Sequence, residues 1–179
     1  MEALSTVASL LRARNSIDAD IARLIHRPMT AGHLGEWIAS IIFDIALEES
    51  AVAKAMDGRF GSGPLVGRTV NVKWYLKREG LLDASEDPSL DYYLVLAGPR
   101  SATLTSRGGT RPWTIESVYL FHALSLAQTL RDRGVKIGVA SSVRNADWDA
   151  AEVYPRHSPL LPLSDLQRGW LQLFRLHDF

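Results

Sequence analysis

Asn71 and Lys73 stand two residues apart in a segment whose side chains alternate between polar and apolar. Val70, Val72, Trp74 and Leu76 alternate with Thr69, Asn71, Lys73 and Tyr75, the period of a β-strand with one apolar face. Asn71 and Lys73 therefore share the other face. A lysine rising from a regular strand needs a partner, because an ammonium removed from water without one is costly. Asp57, in Met56-Asp57-Gly58-Arg59-Phe60, and Glu36, in Gly32-His33-Leu34-Gly35-Glu36-Trp37, are the acids placed to supply one. An aspartate on a neighbouring antiparallel strand and a glutamate on a covering helix would complete an oxygen-rich cluster. Such a cluster suits Mg²⁺, which keeps several waters and takes one or two carboxylates.

The elements around these residues read as a mixed α/β order. Residues 2–14 show helical spacing, and Asn15 or Ser16 can cap a second helix to about Ile25, a helical hairpin closed by Pro28. Thr30 can cap a third helix to about Phe43, with Gly35 permitting close packing against a neighbour. Residues 56–60 form a short strand, a glycine-punctuated turn follows, and Arg68–Leu76 is the clearest strand. Tyr92–Ala97 is a continuous apolar run, as expected of a central strand covered on both faces. Trp113–Phe121 gives another strand, followed by a helix to about Arg133 closed at Gly134. Val135–Ala140 reads as a strand or an extended segment, and Ser164 can cap a last helix.

The run Gly35-Glu36, then Asp57-Gly58, then Val70-Asn71-Val72-Lys73 resembles the PD-(D/E)XK nuclease superfamily, in which a helix glutamate precedes a hairpin bearing Asp and then Glu-x-Lys. Mrr-type members of that family carry Gln at the second acid. The resemblance covers roughly residues 30–76, with Asn71 at the variable position. It implies a restriction-endonuclease-like core, a central mixed sheet flanked by helices, with an N-terminal helical hairpin. It also implies Mg²⁺ (or Mn²⁺) held by Asp57, Glu36 and the Val72 carbonyl, with Lys73, Asp57, Glu36 and Asn71 as the catalytic set. The implied activity is hydrolysis of phosphodiester bonds, DNA being the first expectation. Asn71 is the departure, since a neutral amide stands where the family has an acid. The alternative is a catalytically degenerate nuclease-fold module that binds nucleic acid or a protein partner.

Basic residues near this strand are candidates for gripping phosphates: Arg68, Lys77 and Arg78, together with Arg100, Arg107 and Arg111 in a Gly/Ser/Thr loop. Each also has a plainer reading as a solvated charge. Trp74 is expected in the core, while Tyr75 is a candidate for base stacking. His26, His33, His122, His157 and His177 lack metal-ligand spacing, which argues against zinc. Ser62 lacks the Gly-x-Ser-x-Gly context of a hydrolase nucleophile.

Composition sets the outer bounds. A chain of 179 residues with 46% hydrophobic content suits one domain: a helical hairpin over 1–28, a core over 29–140 and a C-terminal extension with a helix over 141–179. Lysine plus arginine and aspartate plus glutamate balance at 20 each, so nucleic-acid binding must rest on local patches rather than net charge. With no cysteine, disulfides and thiolate metal sites are excluded. No apolar run approaches the roughly 20 residues of a membrane helix, and a cytoplasmic location is expected. A homodimer would let one small domain reach both strands of a duplex.

Overall fold

The computed structural model describes residues 2–48, 56–100 and 112–176. Its elements, in chain order, are α1 (Glu2–Ile25), α2 (Ala31–Phe43), β1 (Ile45–Leu47), β2 (Gly58–Phe60), β3 (Thr69–Tyr75), β4 (Leu81–Leu82), β5 (Tyr92–Ala97), β6 (Ser117–His122), α3 (Ala123–Asp132), β7 (Ser141–Ser142), α4 (Asn145–Ala151), β8 (Glu152–Tyr154) and α5 (Asp165–Gln172). Six strands form one mixed sheet in the order β1-β2-β3-β5-β6-β8. The β3–β5 pair is parallel, Val70 opposite Tyr92 through Tyr75 opposite Ala97, and the other pairs are antiparallel.

The alternation of β3 assigns its two faces. Val70, Val72 and Trp74 pack with Ile38, Ile42 and Phe43 of α2 and Leu171 of α5. On the other side Tyr93, Val95 and Ala97 of β5 pack with Leu126 and Leu130 of α3 and Trp148 of α4. Each sheet face thus buries its apolar set under a helix pair, the usual solution for a layered α/β domain. β5 is buried from Tyr93 to Ala97, as its unbroken apolar run required.

Local signals set the helix starts. The Thr30 side chain accepts from the His33 N–H at 3.2 Å and opens α2. Ser164 and Gln167 form a capping box that opens α5. Gly35 lets α2 lie on β3: a Cβ there would stand 2.9 Å from Trp74 Cβ.

Several expectations change. The N-terminal helical hairpin is instead the single 24-residue helix α1. Asn15 and Ser16 are good caps, but inside a helix they cost only a few tenths of a kcal/mol each, and no Gly or Pro forces a reversal there. Residues 141–179 add a strand as well as a helix, since β8 pairs with β6 at the sheet edge. Residues 135–140 form no strand; only Ser141 and Ser142 pair, with β4. Trp113 precedes β6 rather than beginning it, and its ring meets Trp74 edge-on with centroids 5.5 Å apart. Among the described residues no helix is long and apolar enough to cross a membrane.

Candidate functional site

β2 ends where β3 continues, and Asp57 sits at that fork. Its backbone N–H donates to the Val70 carbonyl at 2.8 Å, and its own carbonyl accepts from the Glu48 N–H at 2.9 Å. The main chain of Asp57 is thus pinned between β1 and β3. The next donor along β3, the Val72 N–H, has lost its strand partner and is taken by Asp57 Oδ2 at 2.6 Å. Within a strand the N–H and C=O of one residue point to the same side, so the Val72 carbonyl also faces the Asp57 gap. Gly58 makes the fork possible, since a Cβ there would stand 2.4 Å from the Ala46 carbonyl oxygen.

Three charges act on this carboxylate. Burial pushes the Asp57 carboxyl above its ordinary value, and the Val72 hydrogen bond opposes that. Glu36 raises it further, while Lys73 and Arg27 pull it down. Asp57, Glu36 and Lys73 therefore share one electrostatic neighbourhood. Glu36 comes from α2 on the Val72 face, and Lys73 rises from the opposite face with Tyr75. Both charges are felt at Asp57 across the end of β2. The expectation that Asn71, Lys73 and Glu36 approach from one face is thus corrected.

Arg27 was not singled out by sequence. Its Nη1 lies 2.5 Å from Glu36 Oε2, and the glutamate side chain is only 16% exposed. The turn after α1 delivers it: His26 takes φ 55°, and His33 Nδ1 lies 2.9 Å from the Pro28 carbonyl. No motif marks a basic residue in such a turn. His33 itself holds the α1–α2 connection.

The chemistry of the donors fits a hard cation. Two carboxylates and a backbone carbonyl offer oxygen only; burial chiefly raises the Asp57 carboxyl, and Glu36 adds a smaller push in the same direction. Among the described residues no group of three or more His, Cys, Asp and Glu is placed to hold a metal. Oxygen-only donors are the kind Mg²⁺ takes, whereas zinc favours nitrogen and sulfur.

The basic candidates separate. Arg78 is 4% exposed, its guanidinium 5.7 Å from the Tyr119 ring centroid and 5.4 Å from that of Trp148. This corrects its assignment to a phosphate-gripping surface: the flanking aromatic residues draw the side chain into the core. Lys77 pairs with Glu79 at 3.3 Å and is 11% exposed. Arg68 pairs with Asp91 at 3.2 Å and remains 62% exposed. Arg100 is exposed, while Arg107 and Arg111 lie outside the described residues. Tyr75 is half-buried, its hydroxyl accepts from the Asp83 N–H at 2.9 Å, and burial pushes it up to about 12. Trp74 is in the core, as expected, with Nε1 donating to the Thr114 carbonyl at 3.2 Å.

No protein-family model and no curated protein matches the chain. The functional reading rests on the site itself.

Proposed function

We propose that this chain is a divalent-metal-dependent nuclease of the PD-(D/E)XK type, with a restriction-endonuclease-like core, acting on phosphodiester bonds, DNA first. The observation that carries this reading is the fork at Asp57, where an acid tied to the Val72 N–H shares its field with Glu36 and Lys73. Support comes from a helix acid and a strand lysine whose charges both act on a strand-end acid, the residue types that suggested the family.

Asp57, Glu36 and the Val72 carbonyl would hold Mg²⁺ or Mn²⁺. Bound there, the ion would lower the pKa of a coordinated water and offset charge developing on the phosphate. Lys73 would orient the attacking water and place its ammonium against that charge. Asn71, on the Lys73 face of β3, would hold a water by its amide. Arg68 and Arg100 are the exposed cations available to position a phosphate backbone.

The test is cleavage of plasmid and linear duplex DNA with Mg²⁺, Mn²⁺ or EDTA. Divalent-dependent cleavage lost in both Asp57→Ala and Lys73→Ala is expected, and unchanged cleavage in both variants would reject the assignment. A second reading is favoured by the neutral Asn71 and the zero net charge: a degenerate module that binds nucleic acid or a protein. Salt-sensitive DNA binding without turnover would select it.

A further inference from the structure

Helix α1 carries an apolar seam that the other described residues leave largely exposed. Leu4, Val7, Leu11, Arg14, Asp18, Ile21 and Ile25 succeed one another in steps of three and four residues, the spacing of a coiled-coil seam. Only the C-terminal end of the seam is used within the chain: Ile25 is 5% exposed, whereas Leu4, Val7 and Leu11 are each more than half exposed. Leu10 and Ile17 widen the exposed stripe. Beside the second half of the helix lies a cleft of about 550 Å³, lined by Ile17 and Ile21 of α1 and by Leu34, Ile38, Trp74 and Phe174 of the body. One chain thus exposes both an aliphatic ridge and an apolar cleft, a combination that marks an association surface.

The two charges inside the seam identify the occupant. Arg14 and Asp18 lie symmetrically about residue 16, pair with each other along the helix at 3.6 Å and also line the cleft. A parallel copy of α1 would set Arg14 against Arg14 and Asp18 against Asp18. An antiparallel copy sets Arg14 against Asp18 twice and Leu11 against Ile21 twice, with Leu4 and Val7 of each copy left to lie over the other copy's cleft. A two-fold contact is self-complementary by construction, so one operation covers both ridges and both clefts.

We infer that the chain forms a homodimer by antiparallel pairing of α1, the Leu4–Leu11 ridge of each copy seated over the other copy's cleft. The contact is independent of the nuclease reading and stands whether or not the protein cleaves nucleic acid.

Sedimentation or light scattering of the full chain tests it. Wild type is expected at twice the 19.8 kDa chain mass. Leu11→Glu is expected to raise the dissociation constant at least about tenfold, since it sets a charge in a buried seam. Arg14→Asp and Asp18→Arg should each weaken the dimer, and the double variant Arg14→Asp/Asp18→Arg should restore it. Leu11 and Arg14 are exposed and Asp18 is half-buried in the single chain, so far-ultraviolet circular dichroism should stay unchanged. A wild-type monomer at about 100 µM, far above a typical specific dissociation constant, would overturn the inference, as would a dimer indifferent to Leu11→Glu. A double variant no tighter than the singles would overturn the antiparallel register. Binding of a small apolar probe to a monomer in that cleft would likewise assign the surface to another occupant.

Discussion

Arg27 reaches across the α1–α2 turn to Glu36, so the helix glutamate of the proposed metal site already carries a cation 2.5 Å away. The arginine side chain is 44% exposed, and solvent screening limits what such a pair adds to stability. Its larger consequence is competition, because a divalent ion at Glu36 and Asp57 must displace or offset that guanidinium. Arg27→Gln is expected to tighten Mn²⁺ binding about three- to tenfold by titration calorimetry, up to about 1.4 kcal/mol. Glu36→Gln should weaken it. Equal affinity in Arg27→Gln and wild type, both measurably binding, would show that the arginine does not compete.

Asp57 sets a pH dependence whose sign is the reverse of the usual acid. Its carboxyl is raised in the folded chain, chiefly by burial, so the folded state binds its proton more tightly than the unfolded state does. The penalty is absent below the ordinary value of 3.8, grows as pH rises through the elevated native value and is fully present above it. Asp57→Asn keeps an oxygen for the Val72 N–H and removes the charge. Its melting temperature should exceed that of the wild type at pH 8, on the order of 1 kcal/mol of stability, with the gap closing toward pH 4. Mn²⁺ should raise the wild-type melting temperature at pH 8 and leave Asp57→Asn nearly unmoved, and EDTA should abolish the difference. A gap that widens on acidification would contradict the account.

Asn71 stands where the resembled family carries an acid. Ligand charge is a principal control on affinity for hard cations. Asn71→Asp is expected to tighten divalent binding about tenfold and to lower metal-free stability by adding a third negative group near Asp57. Calorimetry with Mg²⁺ and Mn²⁺ checks both. An unchanged affinity would place the residue outside the coordination sphere.

Gly58 holds the fork by having no side chain. A Cβ would meet the Ala46 carbonyl oxygen at 2.4 Å and Ile45 Cγ2 at 2.8 Å, and neither backbone nor buried isoleucine can yield cheaply. Gly58→Ala should cost about 2–3 kcal/mol in chemical denaturation. It should also reduce cleavage in the fraction that remains folded, through a displaced Asp57. A variant with wild-type stability would show that β1 and β2 can separate freely.

Much of this molecule is local and could be read from the chain. The alternation in Thr69–Tyr75 named both faces of β3, and the apolar run Tyr92–Ala97 matched the buried central strand residue for residue. Thr30 and Ser164 marked helix starts because a cap is a contact between residues three apart. Gly35 announced a close approach without naming Trp74 as the neighbour. These features depend on short-range sterics and on hydrophobic period, which a linear sequence carries in full.

The tertiary structure decided the rest, for the reason that a contact between distant segments has no local signature. Strands of three residues, β1 and β8, are too short to show a period and exist because a sheet edge offers them partners. Arg78 and Arg68 have the same chemistry in sequence, yet one lies between aromatic rings and the other in solvent. The pairing of Arg27 with Glu36 depends on the turn between two helices. The convergence of Glu36 and Lys73 on Asp57, from opposite faces, depends on where β2 stops. Types and spacing named the acids and the lysine. Only the folding of α2 onto β3, and the gap at the end of β2, decided that their charges act on one another.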